Sequence, residues 1–150
     1  MRGREGFASR VLVLAAIFVL VLCGVWWVRD RQMTKQVQGY LAQCHPLVEQ
    51  FKEDWHRAES TDIREIEDAI KPMDETRAAF VALDPPGPAR EFHTQMAYAM
   101  DAGIELVLAF RALGPEGDLD DKWRTVSVTS KAAADLSKEL MRRYPLPATD

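Results

Sequence analysis

The sequence predicts an all-α protein: an N-terminal transmembrane helix followed by an antiparallel, up-down four-helix bundle. Three observations carry that prediction. One uncharged apolar run opens at Val11 and closes at Val28, with Gly24 its only non-apolar residue. Beyond it, apolar residues recur in steps of three and four, the spacing of one helix face, and nowhere in the alternation of a strand. The breaks Asp84-Pro85-Pro86-Gly87-Pro88 and Gly114-Pro115 then divide this periodic part into helix-sized pieces. The expected organisation is a basic tail over 1–10, a membrane span over 11–28, the bundle over 29–145 and a disordered tail over 146–150.

The run of 18 residues makes a helix about 27 Å long at the usual rise, just enough for the hydrocarbon core of a bilayer. Trp26 and Trp27 stand at its far end beside Arg29 and Arg31, a composition suited to the headgroup zone. Arg2, Arg4 and Arg10 give it the basic start of a secretory signal. No small-x-small cleavage site follows, so an uncleaved anchor is expected. Leu20-Val21-Leu22-Cys23 has the outline of a lipobox, but Leu22 stands where a small residue is required and the chain stays apolar after the cysteine. A short tail with three arginines is retained on the cytoplasmic side, which predicts a single-pass protein of a bacterial inner membrane, N-terminus in, with residues from 36 onward outside the cytoplasm.

Charge is distributed unevenly. Residues 1–35 carry +4 and residues 36–150 carry −8 within an overall −4. An acidic domain with scattered lysines offers no electrostatic footprint for DNA or RNA, so nucleic acid is excluded as a partner.

The first bundle helix shows the seam Val37, Leu41, Cys44, Val48, Phe51, Trp55, Ala58. No strong breaker separates it from the membrane run, so one helix is expected to pass through both, bending near Ala42 where Pro46 removes a hydrogen-bond donor. A second helix is expected to start around Ser60 to Asp62, whose side chains suit an N-cap, with Ile63, Ile66, Ile70, Met73, Thr76, Phe80 and Leu83 inward and a kink at Pro72. The third begins at Pro88, a favoured first helical residue, and turns Phe92, Met96, Ala99, Gly103, Leu106, Phe110 and Leu113 inward until Gly114 caps it. The fourth starts near Asp118 or Asp120 with the seam Leu119, Trp123, Val126, Ala133, Leu136, Leu140, Tyr144. Lys138, Arg142 and Arg143 sit at its dipole-favoured end. Antiparallel folding sets Ala99, Ala102 and Gly103 opposite Ser130 to Ala134, small residues that permit close approach.

Several constellations have chemical outlines. Cys44-His45 matches the end of the haem-attachment motif C-x-x-C-H, but Leu41 occupies the leading cysteine's place and Pro46 follows, so Cys44 reads as a core cysteine. Glu53 and His56 have the Glu-x-x-His spacing of di-iron bundles. A second such motif is missing, and Glu53 lies about 200° round the helix from Phe51, on the solvent side. His45, His56 and His93 are the three histidines and read as surface groups rather than metal ligands. Ser127, Ser130 and Ser137 lack a nucleophile elbow, and no phosphate-binding glycine loop occurs. No catalytic role, metal or cofactor is expected.

One feature exceeds what a simple bundle needs: a second apolar stripe on the third helix formed by Ala97, Met100, Ile104, Val107 and Leu108, readable either as a wide buried face or as a partner surface. The stretch from Leu83 through Asp84-Pro85-Pro86-Gly87-Pro88 to Phe92-His93 and the alanine-rich helix resembles the middle of certain small bacterial envelope proteins, membrane-anchored or lipid-anchored helical bundles largely without assigned function. That resemblance spans about residues 80–112 and implies an envelope location, with no active site. The expected function is therefore that of an extracytoplasmic, non-catalytic bundle acting by protein–protein contact on another membrane or envelope protein. The competing expectation is a bundle that holds a small apolar molecule or a metal near Trp55, Phe92 and Trp123.

Overall fold

The computed structural model describes residues 4–59, 62–114 and 117–146, with side chains described from residue 17 onward. These residues form four α-helices, one short 3-10 turn and no strand. The helices are α1 (Arg4–Ala58), α2 (Ile63–Val81), α3 (Arg90–Leu113) and α4 (Asp120–Arg143), with the 3-10 turn at Gly87–Ala89 before α3. The expected cap residues Ser60 and Thr61, the pair Pro115 and Glu116, and all but the first residue of the expected tail lie outside the described residues, as do the side chains of residues 4–16.

The chain divides into two compact units, Met1–Gln36 and Val37–Asp150, and α1 contributes to both. In the first, the large apolar side chains between positions 17 and 28 are exposed on every side of the helix. The Arg31 guanidinium lies 4.1 Å above the Trp27 ring. Among the described residues no helix is long and apolar enough to cross a membrane.

In the second unit the chain runs on helically through Gly39 and Pro46. Pro46 tolerates this because a helix loses one hydrogen bond there while its neighbours continue. The seam from Val37 to Ala58 turns inward as its spacing requires, with Val37, Leu41, Cys44 and Ala58 buried. Asp62 caps α2, its carboxylate accepting the Arg64 backbone N–H at 2.9 Å. Ile66, Ala69, Met73, Thr76 and Phe80 of α2 are buried, whereas Ile63, at the helix start, is exposed. Pro88 falls in the 3-10 turn rather than at the head of α3, closed by the Ala89 N–H donating to the Pro86 carbonyl at 2.8 Å. A single turn of tighter helix follows from proline's fixed φ and missing donor. Gly114 ends α3 at φ +73°, a backbone region that favours glycine, with its N–H on the Phe110 carbonyl.

Neighbouring helices run antiparallel. Phe80 near the end of α2 meets Phe92 near the start of α3 edge-to-face. Arg77 Nη2 donates to Asp101 Oδ2 at 3.1 Å, while Nε sits 2.7 Å from Oδ1 at an angle that makes it a charge contact rather than a hydrogen bond. At over one-third exposure this pair contributes no more than about 1 kcal/mol. Lys122 at the start of α4 pairs with Glu105 late in α3 at 2.9 Å, and the Gln38 side chain reaches the Pro145 carbonyl at 2.6 Å. The fold is held instead by apolar burial. Ala58, Ile66, Ala69, Met73 and Val107 form one cluster across α1, α2 and α3, flanked by Phe51, Trp55, Ile70, Ile104 and Phe110. Burying side chains such as Ile66 and Met73 is worth about 1.5–3 kcal/mol each.

Candidate functional site

Of the small residues expected to meet between α3 and α4, Ala99, Gly103, Ser130, Ala133 and Ala134 line one groove together with α1, whereas Ala102 is not part of its wall. Ala99 and Gly103 of α3, Ser130, Ala133 and Ala134 of α4, and Val48, Phe51 and Trp55 of α1 line a groove of about 580 Å³. Short side chains let backbones approach, but they also fill little volume, and the α1 residues do not reach across what remains. Trp55 belongs to its wall. Its ring lies against Gly103, where a Cβ would stand 3.1 Å from Cζ3, and its Nε1 donates to Glu59 at 2.8 Å. It meets Trp123 edge-to-face at 6.1 Å. Trp123 itself is 50% exposed although its seam position predicts burial, because the groove beside it is open. A second apolar cavity of about 300 Å³ shares the same Trp55–Trp123 pair and continues toward Ala58, Val107 and Phe110.

The groove wall is apolar apart from Ser130, Ser137 and two cations, Lys52 and Lys138. Lys52 Nζ donates to Glu49 Oε1 at 2.6 Å and so holds that carboxyl below the usual carboxylate range. Lys138 stands 4.0 Å from Asp135. Neither Glu49 nor Asp135 lines the groove.

A separate polar cluster lies at the other end of the bundle. Tyr40 Oη is 2.8 Å from His93 Nδ1, and the His93 ring stacks on Phe80 at 4.9 Å between centroids. The Tyr40 hydroxyl also hydrogen-bonds with the Cys44 thiol. Desolvation pushes Cys44 up to about 11 and Tyr40 well above the usual phenol value, and it pulls His93 below the usual imidazole value. All three groups are thus neutral at pH 7. The Tyr40 hydroxyl donates once, so it gives its proton either to His93 Nδ1 or to Cys44, the His93 tautomer deciding which. Such a chain fixes side-chain positions and keeps Cys44 as the unreactive thiol at neutral pH.

Of the second stripe on α3, Met100 is buried and lines the groove, and Val107 is buried within the apolar cluster. Ile104 is half-buried against that cluster, Ala97 is half-buried, and Leu108 stays 37% exposed. Glu53 and His56 lie on the exposed side of α1, where His56 Nδ1 is 3.1 Å from Glu59. His45 is likewise exposed. Phe92 is buried against Phe80 and does not line the groove with the two tryptophans. Sequence reasoning passed over Asp54, which is 0% exposed, contacted by Arg57 at 2.6 Å and by Gln50 at 3.3 Å. The signal was available: Gln50 and Arg57 stand four before and three after it, the spacing at which helix side chains meet. Among the described residues no three His, Cys, Asp or Glu side chains converge as a metal site would require.

No protein-family model, curated protein or solved structure matches the chain. Fold and site together define its class as an all-helical protein with an apolar inter-helix groove.

Proposed function

We propose that the chain is a non-catalytic, single-pass protein of the bacterial cell envelope, anchored by residues 11–28 with its N-terminus inside, whose helical bundle binds a small apolar molecule in the groove between α1, α3 and α4. The observation that carries this reading is the groove itself. Its volume of about 580 Å³ falls within the ~300–1,000 Å³ usual for small-molecule sites, its wall is apolar with a few polar groups, and two tryptophans in edge-to-face contact line it. The anchor is supported by the exposed apolar surface from Ile17 to Val28, which water solvates poorly on every face. Native mass spectrometry of the full chain released from lipid nanodiscs tests the binding role. A reproducible added mass, lost when Ala133→Phe fills the groove, is the expected result. An unliganded mass in every preparation, with no added apolar compound retained, counts against it.

A second reading, an accessory subunit acting through protein contact, is favoured by the exposure that Leu108 retains beside half-buried Ile104. Substituting both by glutamate separates the two roles of this stripe. Lost folding assigns it to the interior, whereas retained helicity with loss of a crosslinked envelope partner assigns it to an interface.

A further inference from the structure

We propose that the groove takes a single-chain anionic amphiphile, a long-chain carboxylate, with its headgroup at Lys138 and its tail lying along the methionine- and tryptophan-lined floor. This rests on the reading of the groove as a binding site and names the chemistry of the occupant.

The argument is one of charge complementarity. Residues 36–150 carry a net charge of −8, yet the only charged side chains lining the groove are two lysines. A groove lined at random in so acidic a domain would present carboxylates, and those repel an anionic headgroup. The two cations are not equivalent. Lys52 is engaged by Glu49 at 2.6 Å, whereas Lys138 has its carboxylate neighbour Asp135 at 4.0 Å, the outer limit of an ion pair. An incoming carboxylate therefore displaces little at Lys138, and the Ser137 hydroxyl lines the groove one residue away. A well-exposed lysine in an otherwise apolar groove wall suits a molecule charged at one end and apolar along the rest.

The floor suits a flexible chain better than a rigid planar ring. Met96, Met100 and Met141 contribute unbranched, adaptable side chains, and Ala99 and Gly103 keep the floor low between them. The Trp55–Trp123 pair belongs to the same wall and offers ring faces to the tail.

The test is photo-labelling of the full chain in nanodiscs of zwitterionic lipid, using a diazirine-bearing C12 carboxylic acid and the matching alcohol, with labelled peptides mapped by mass spectrometry. Mapping by position separates groove binding from simple partition into the bilayer, which labels peptides containing residues 11–28. The expected result is labelling of α3 and α4 peptides by the acid, competed by unlabelled dodecanoate, weaker with the alcohol, and reduced about threefold in Lys138→Gln, as for a solvent-exposed charge contact. The Lys138 side chain is 76% exposed and glutamine suits a helix as well as lysine, so this variant is expected to keep the fold, as far-UV circular dichroism checks. Equal groove labelling by acid and alcohol, unchanged in Lys138→Gln, overturns the carboxylate and leaves the groove reading standing. Labelling confined to the membrane segment with both probes overturns the two together.

Discussion

Cys44 and His93 share one hydroxyl between them, and their ionisation follows from where that hydroxyl is buried. The Cys44 thiol is pushed from the ordinary value of 9.0 to about 11 because desolvation penalises the thiolate more than the Tyr40 contact favours it. Two pH units correspond to about a hundredfold less thiolate at neutral pH, and only the thiolate is alkylated. The buried Cys44 is therefore expected to react with iodoacetamide at least about a hundredfold more slowly in the native chain than in urea, as followed by the mass of the Cys44 peptide. Native and denatured rates that agree would show that the thiol is open to solvent. His93 shifts the opposite way. Burial lowers its value below 6.5, so the folded state prefers the neutral ring. Its contribution to stability is then fully present above the unfolded value and is lost as pH falls through the folded one. The urea midpoint is expected to drop between pH 7 and pH 5, and to drop less in His93→Phe, which keeps a ring against Phe80 but has nothing to protonate.

At the scale of the element, α4 is the least anchored helix. Of its 24 residues only Ala133 and Leu140 are buried, because the groove stands where its neighbours would. In α3, also 24 residues long, Phe92, Ala99, Met100, Gly103, Leu106 and Val107 are buried. Local opening is easiest where few apolar contacts are lost, so amides of α4 are expected to exchange faster than those of α3 by hydrogen-exchange mass spectrometry. Equal protection of the two helices would tell against the open groove. The same contrast marks how far the sequence can be read. The periodicity identified the four described helices and most of their inward residues, while Ile63, Leu113 and Trp123, assigned inward, are exposed near helix ends or beside the groove; Gly114, Asp62 and the 84–88 break located ends to within a turn. It did not show the groove, because a hydrophobic step records which side of a helix faces in, not whether facing side chains meet. Ser130, Ala133, Ala134 and Ser137 line the groove and are short, and Phe51 and Trp55 line it from another helix, so the open volume depends on side chains that no single helix pattern records. Tyr40 was missed because it lies off the apolar seam and only tertiary packing brings His93 to it, whereas Asp54 also lies off the seam but has its partners Gln50 and Arg57 at a helical spacing that the sequence shows.

For the whole molecule the decisive quantity is the apolar surface of residues 17–28. The ten large apolar side chains there are each at least 50% exposed, with Trp26 and Leu20 at 71%. An amphipathic helix lying on a bilayer would show a polar face along this stretch, and these positions carry none. On the proposed anchoring this helix is surrounded by lipid, and an integral segment differs from a peripheral one in its response to alkaline carbonate. The full chain is expected to stay with the membrane pellet at pH 11. An arginine at the centre of a spanning helix costs about 2.5–3.5 kcal/mol, so Phe18→Arg together with Val21→Arg removes roughly 5–7 kcal/mol of insertion free energy by the same scale and is expected to move the protein to the supernatant. Because Phe18 and Val21 lie in the unit Met1–Gln36, helical content and tryptophan emission from Trp55 and Trp123 should survive in the released protein. Release of the unaltered chain by carbonate would make the segment peripheral, and retention of the double arginine variant would move the anchor elsewhere in the chain.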